Sequence, residues 1–150
     1  MVARKQKTPI ENTMKIIVDT NILFSAMLSQ NSHLRQTLNN QELEIFAPNY
    51  IFLELFKHKE KLLKLSKQSE AEIYLFLNYL LERIKFISPD LISTQNYRLA
   101  YELCKEVDEA DTPFVALSLE LNAALWSGDK RLKNGLLAKG FQNFFMPTLH

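Results

Sequence analysis

Apolar positions along this chain follow two alternating patterns. Short β-branched or aromatic runs occur at residues 15–18 (KIIV), 43–47 (LEIFA), 85–88 (KFIS) and 123–126 (AALW). Runs of this length bounded by polar or turn residues mark buried strands. Residues 144–146 form a possible fifth. Between these runs the apolar residues take helical spacing. Helices are expected over 21–28, from a cap at Ser32 through Leu38, and from Pro48 in a first turn to about Leu65. The pair Ser69 and Glu72 is a capping box that opens a helix to about Arg83. Further helices are expected over 94–105, from Pro113 to Leu121 with Asn122 turning left-handed at its end, and over 131–139 before Gly140. Strands alternating with helices give an α/β fold: a three-layer α/β/α sandwich with a short central parallel sheet of 4–5 strands. In such sheets ligands bind outside the carboxyl ends of the strands.

Composition narrows the classes. A length of 150 residues suits one domain, here 14–150, with the polar stretch 1–13 (MVARKQKTPIENT) as an extension. The net charge of +1 gives no whole-molecule attraction to nucleic acid, so any basic surface has to be local. Cys104 is the only cysteine, which excludes a disulfide and a cysteine-rich zinc site. His33, His58 and His150 have no ligand spacing, which argues against zinc altogether. The longest apolar stretch, 73–81 (IYLFLNYLL), is well short of the ~18 residues of a bilayer span. The first residues lack the apolar centre of a secretory signal, so a cytoplasmic location without membrane attachment is expected.

Carboxylates carry the candidate chemistry. Asp19 ends the first strand, Asp129 follows Ser127-Gly128 after the fourth, and Asp111 stands at the mouth of the helix opened by Pro113. Glu54 interrupts the apolar helix segment IFLELF, and Asp108 lies in the acidic run EVDEAD. Each has a plain structural reading: Asp19 and Asp129 as caps or turn residues, Asp111 as a helix-mouth anion, Asp108 as a loop acid, Glu54 as a solvent-facing partner of Lys57 or His58. Three junction acids on one predicted sheet edge, with a fourth inside an apolar helix, would be several such coincidences together. Crowded carboxylates repel unless cations neutralise them, and hard divalent ions bound through oxygen do so. Such a site can activate water against a phosphodiester.

The segments IIVDTNILFSA (16–26), FLELFKHK (52–59) and DTPFVALSLELNAALWSGDKRL (111–132) resemble the PIN-domain family, including the VapC-type toxins of toxin–antitoxin pairs. The resemblance runs from about Met14 to Met146. It implies a Mg²⁺- or Mn²⁺-dependent ribonuclease whose acids are Asp19, Glu54, Asp111 and Asp129, with Asp108 as a rival or auxiliary ligand. It also implies a supporting role for Asn21 beside Asp19, and for Ser127 where the family more often has threonine. Many such toxins have Asp-Ala where this chain has Asp111-Thr112, which weakens the toxin assignment more than the nuclease assignment.

Lys130 and Arg131 directly follow Asp129 and are candidates for contact with an RNA substrate, expected to be single-stranded. The lysines at 57, 59, 61, 64 and 67 serve equally well as a solvated helix face or an RNA patch. The leading expectation is an endoribonuclease with a possible antitoxin partner and a homodimeric state, the faces near Leu62 to Leu81 being candidates for the interface. A catalytically inactive PIN-type module binding RNA or protein is the alternative. A flap-type nuclease acting on DNA would need longer insertions than this compact chain has.

Overall fold

A computed structural model describes residues 13–28 and 33–147. Four strands, β1 (Met14–Val18), β2 (Leu43–Pro48), β3 (Lys85–Ile87) and β4 (Ala124–Trp126), form one parallel sheet in the order β3-β2-β1-β4. Helices α1 (Thr20–Leu28) and α2 (His33–Leu38) connect β1 to β2. Helices α3 (Tyr50–Lys57), α4 (Lys59–Leu65) and α5 (Glu70–Arg83) connect β2 to β3. Helices α6 (Thr94–Cys104) and α7 (Thr112–Leu121) lead back to β4, and α8 (Lys130–Ala138) follows it.

The strand order explains the layers. Right-handed crossovers from β1 to β2 to β3 step one way along the sheet and place α1–α5 on one face. The return from β3 to β4 steps the other way, so α6 and α7 cover the opposite face, with α7 packed on β1, β2 and β4. Sandwiched strands are apolar on both faces, and Ile16, Ile17 and Val18 are all fully buried. Helix α7, apolar nearly all round, is buried from Phe114 through Ser118. The direction of winding reverses between β1 and β4, which opens a crevice at their carboxyl ends.

Several expected boundaries move. Pro48 ends β2 rather than opening a helix: having no N–H, it takes the last strand position, and the Asn49 amide bonds to the Ile87 carbonyl at 3.0 Å instead. The long helix expected through Leu65 breaks at His58, whose ring meets Phe24 of α1 edge-on at 5.6 Å. Residues 144–146 form only a single parallel bridge, Leu125 to Phe144, beyond β4. Ser69 caps α5 by accepting from the Glu72 amide, and Asn122 closes α7 at φ 49°, both as expected. The Ser32 cap and residues 1–12 of the expected extension lie outside the described residues. No described helix is long and apolar enough to cross a membrane.

Gly135 sits inside α8 where a Cβ would lie 2.6 and 2.8 Å from the two methyls of Val107. Alanine at an ordinary helix position gains about 1 kcal/mol over glycine, but overpacking against a stiff β-branched neighbour costs about 1–3 kcal/mol. Gly135→Ala is therefore expected to lower stability by about 1 kcal/mol, read as a lower urea midpoint at unchanged slope.

Candidate functional site

Sheet register builds the centre of the site. Val18 pairs with Trp126, so the next residues along the two strands, Asp19 and Ser127, are neighbours. The Asp19 amide continues the ladder to the Trp126 carbonyl at 3.2 Å. A hydrogen bond from the Ser127 hydroxyl reaches the Asp19 carboxylate, while Ser127 Oγ accepts from the Asp129 amide at 3.1 Å. One hydroxyl thus ties together the two acids that end β1 and follow β4.

Asp19 is 2% exposed, and its Oδ1 accepts the Ile22 amide at 3.0 Å. Asp129 Oδ1 caps α8 by accepting the Leu132 amide at 3.1 Å, and Asp108 Oδ1 accepts the Ala110 amide at 3.0 Å. The plain capping role of Asp19 and Asp129 is therefore real, and the loop acid Asp108 caps the turn that follows it. Capping engages one oxygen of each and fixes the direction of the other. Asp111, by contrast, occupies the N-cap position of α7 without making a side-chain cap bond. Glu54 is half-buried, and its Oε1 accepts the Thr20 hydroxyl at 2.9 Å.

Electrostatics joins these acids. Burial raises the Asp19 carboxyl to about 6, with Asp129 and Glu54 adding to the rise against the Ser127 and Ile22 hydrogen bonds. Burial likewise lifts Asp111 to about 7, helped by the charges of Asp108, Asp19, Asp129 and Glu54. The Tyr50 hydroxyl is held above its usual range by burial and by the fields of Glu54, Asp108 and Asp111. Among the described residues, ion pairs form between Lys85 and Glu44, Lys105 and Glu102, and Lys139 and Glu106, and none involves these five acids. The Glu54 pairing with Lys57 or His58 allowed by the sequence is not among them. Five carboxylates share one edge, and among the described residues no cation forms an ion pair with them.

As placed, no three acidic, histidine or cysteine side chains among the described residues converge closely enough to hold a metal ion. The donor set is nonetheless all oxygen and uncompensated. Mg²⁺ takes only one or two carboxylates directly and fills its remaining positions with water and substrate phosphate. The residues therefore fit a hard divalent ion by the chemistry of their donors.

Thr20 carries no motif that marks it in the sequence. It is buried and links the start of α1 to Glu54 on α3. Its only signal is a hydroxyl directly after the strand-ending acid. Asn21 is exposed and lines a groove with Phe24, His58 and Lys61, and among the described residues no hydrogen bond joins it to Asp19. Thr112 gives the departure from Asp-Ala a structural role: its hydroxyl donates to the Glu109 carbonyl at 2.7 Å and fastens the 3₁₀ turn Glu109–Asp111. Cys104 beneath it is buried, its thiol pushed up to about 12, and is inert. Lys130 and Arg131 are exposed in the first turn of α8.

A doubly wound sheet with acids gathered at its topological switch point defines an α/β protein with a carboxylate-lined ligand edge. The description "PIN domain" belongs to the family model that matches residues 17–144, and the chain belongs to that family. The fold is similar to VapBC2 from Rickettsia felis, solved bound to a DNA fragment from its promoter, at a TM-score of 0.58 and 18% identity over 81% of this chain and 92% of that one. It is similar to VapBC-1 from nontypeable Haemophilus influenzae at 0.58 and 19%, over 83% and 94%. PAE2754 from Pyrobaculum aerophilum gives 0.56 and 14%, over 87% and 86%. No curated protein sequence matches the chain.

Proposed function

We propose that this protein is a divalent-metal-dependent endoribonuclease and the toxin of a toxin–antitoxin pair. The observation that carries the reading is the set of carboxylates at the β1–β4 crevice, five acids with no ion-pair partner among the described residues and two of them lifted to about 6 and 7. Asp19, Glu54, Asp111 and Asp129 are the proposed metal-binding and catalytic acids, and Asp108 is an auxiliary one. Membership of the PIN family and the VapBC-like fold support the assignment.

The roles follow from what each residue touches. Bound Mg²⁺ or Mn²⁺ supplies charge to the scissile phosphate and an activated water. Asp19, held by Ser127 and the Ile22 amide, presents its carboxylate at a fixed place on the sheet. Asp129, held by its own cap, stands beside it. Thr20 orients Glu54 through its hydrogen bond, and Thr112 anchors the turn that carries Asp111. Lys130 and Arg131, next to Asp129, contact backbone phosphates of the RNA.

For protein partners, an antitoxin and a second copy of the chain, the exposed apolar face of α3 and α5 is the proposed surface. Phe56 is 77% exposed and lines an apolar groove with Phe52, Leu77 and Leu81. A metal-free module that only binds is the competing reading, favoured by the absence of a ready-made cage among the described residues. The test is incubation with a mixed pool of structured and unstructured RNAs, in Mg²⁺ or Mn²⁺ and in EDTA, for wild type and Asp129→Asn. Cutting that needs metal and fails in the variant is expected. No cutting by folded wild type, together with no calorimetric metal binding, would leave the binding module.

A further inference from the structure

An aromatic slot lies against the acid edge. It has a volume of about 280 Å³ and is lined by Tyr50, Tyr97, Tyr101, Glu109, Ala110, Thr112 and Pro113. Its walls come from separate elements. Tyr97 and Tyr101 stand four residues apart on α6 and so share one face of that helix. Tyr50, at the start of α3, forms the other side and is braced edge-on by the buried Phe114 at 6.5 Å. The floor is the segment on either side of Asp111, fastened by the hydrogen bond from Thr112 to Glu109.

Three properties define what fits. The volume lies just below the roughly 300–1,000 Å³ of sites for drug-sized molecules, which suits one flat ring. The lining contains no lysine, arginine or histidine, so a phosphate group is not stabilised there. Its one charged side chain, Glu109, accepts hydrogen bonds but cannot donate them. Aromatic faces beside a single carboxylate suit a flat ring that presents N–H donors.

The geometry points to this slot as the seat of a nucleobase next to the scissile phosphate, stacked on Tyr101 and Tyr97 and donating an exocyclic amino group to Glu109. This inference rests on the ribonuclease reading and adds a base preference to it. Because the slot brackets Asp111, a base held there places the neighbouring phosphate at the carboxylate edge. Lys130 and Arg131 are left to the sugar–phosphate backbone. Guanine, adenine and cytosine all carry an exocyclic amino group, whereas uracil has a single N–H between two carbonyls that a carboxylate repels.

The test measures binding and cleavage separately. Short fluorescent oligoribonucleotides of adenosine, cytidine or uridine are titrated with the full-length protein in EDTA and followed by anisotropy. Oligoadenosine or oligocytidine is expected to bind about fivefold more tightly than oligouridine. Tyr101→Ala is expected to weaken the favoured oligonucleotide about tenfold, and Tyr101→Phe to stay within about twofold of wild type. Glu109→Gln should remove the preference over uridine. Tyr101→Leu, which keeps the helix and the apolar bulk, should lose affinity as the alanine does. Unchanged affinity in Tyr101→Ala and Tyr101→Leu, with unchanged circular dichroism, overturns the slot. Cleavage of the same oligonucleotides in Mn²⁺ separates the two readings. No cleavage alongside Tyr101-dependent binding removes the nuclease and keeps the slot; cleavage with KM unmoved by Tyr101→Ala keeps the nuclease and removes the slot.

Discussion

Asp19→Asn is expected to reduce RNA cleavage about a thousandfold or more while raising the melting temperature of the metal-free protein at pH 8. The loss of activity follows from the position of this acid, which is the most deeply buried of the five and is bonded to Ser127 and to the Ile22 amide. Removing its charge removes several kcal/mol of attraction for the metal ion of the proposed reaction, and each 1.4 kcal/mol is about tenfold in rate. The gain in stability follows from the same burial. A carboxyl whose pKa stands at about 6 rather than 3.8 costs about 3 kcal/mol to keep ionised in the fold. Asparagine keeps the acceptor that caps α1 and carries no charge to desolvate. Cleavage assays and thermal melts on one preparation check both halves. A variant that loses activity only because it melts early would contradict the account.

The metal-free protein is also expected to lose stability as pH rises from about 4 to about 7, and Mg²⁺ or Mn²⁺ should restore it at pH 8. The sign follows from the direction of the shifts. Asp19 and Asp111 have folded-state pKa values of about 6 and about 7, both above the 3.8 of the unfolded chain. Between those limits the folded state holds protons that the unfolded state has released, so raising the pH favours unfolding. The stabilising contribution is complete below about pH 4 and gone above about pH 7. Asp19 alone accounts for about 3 kcal/mol, which corresponds to roughly 6–12 °C in melting temperature for a domain of this size. The half-buried Asp111 adds a smaller part after solvent screening. Cations that bind the ionised cluster reverse the trend at pH 8 and have little effect at pH 5. Melting curves in EDTA and in Mn²⁺ across this range provide the check. A metal-free protein as stable at pH 8 as at pH 5 would contradict the placement of these acids.

Much of this architecture is legible in the chain because its signals are local. The β-branched run at 15–18 must be a buried strand, and a strand that stops at Asp19 places that acid at a sheet end whatever follows. Asn122 and the Ser69–Glu72 pair mark helix boundaries through their own backbone chemistry. Other features depend on long-range partners that no local pattern displays. Pro48 reads as a helix start until β3 provides the Ile87 carbonyl for the amide of the next residue. His58 shows no reason to interrupt a helix until Phe24 arrives from α1. At the site, the acids stand out by charge, while Thr20 and the tyrosine slot do not: an ordinary hydroxyl and three scattered aromatics gain meaning only when the fold brings them beside Glu54 and Asp111.

The pairing of Val18 with Trp126 has a mechanical consequence. Asp19 is locked to the neighbouring strand by a ladder bond and Asp129 by its own helix cap, on either side of a buried serine, so this half of the site resembles a fixed jaw. Glu54 and Asp111 belong instead to a helix and a single tight turn, tied to the rest of the fold by the Thr20 and Thr112 hydroxyls. In the proposed site a divalent cation would be held by Asp19 and Asp129 on the sheet side and by Glu54 and Asp111 on the other. The two halves of the site thus answer to different supports, the strand ladder for one and side-chain hydroxyls for the other.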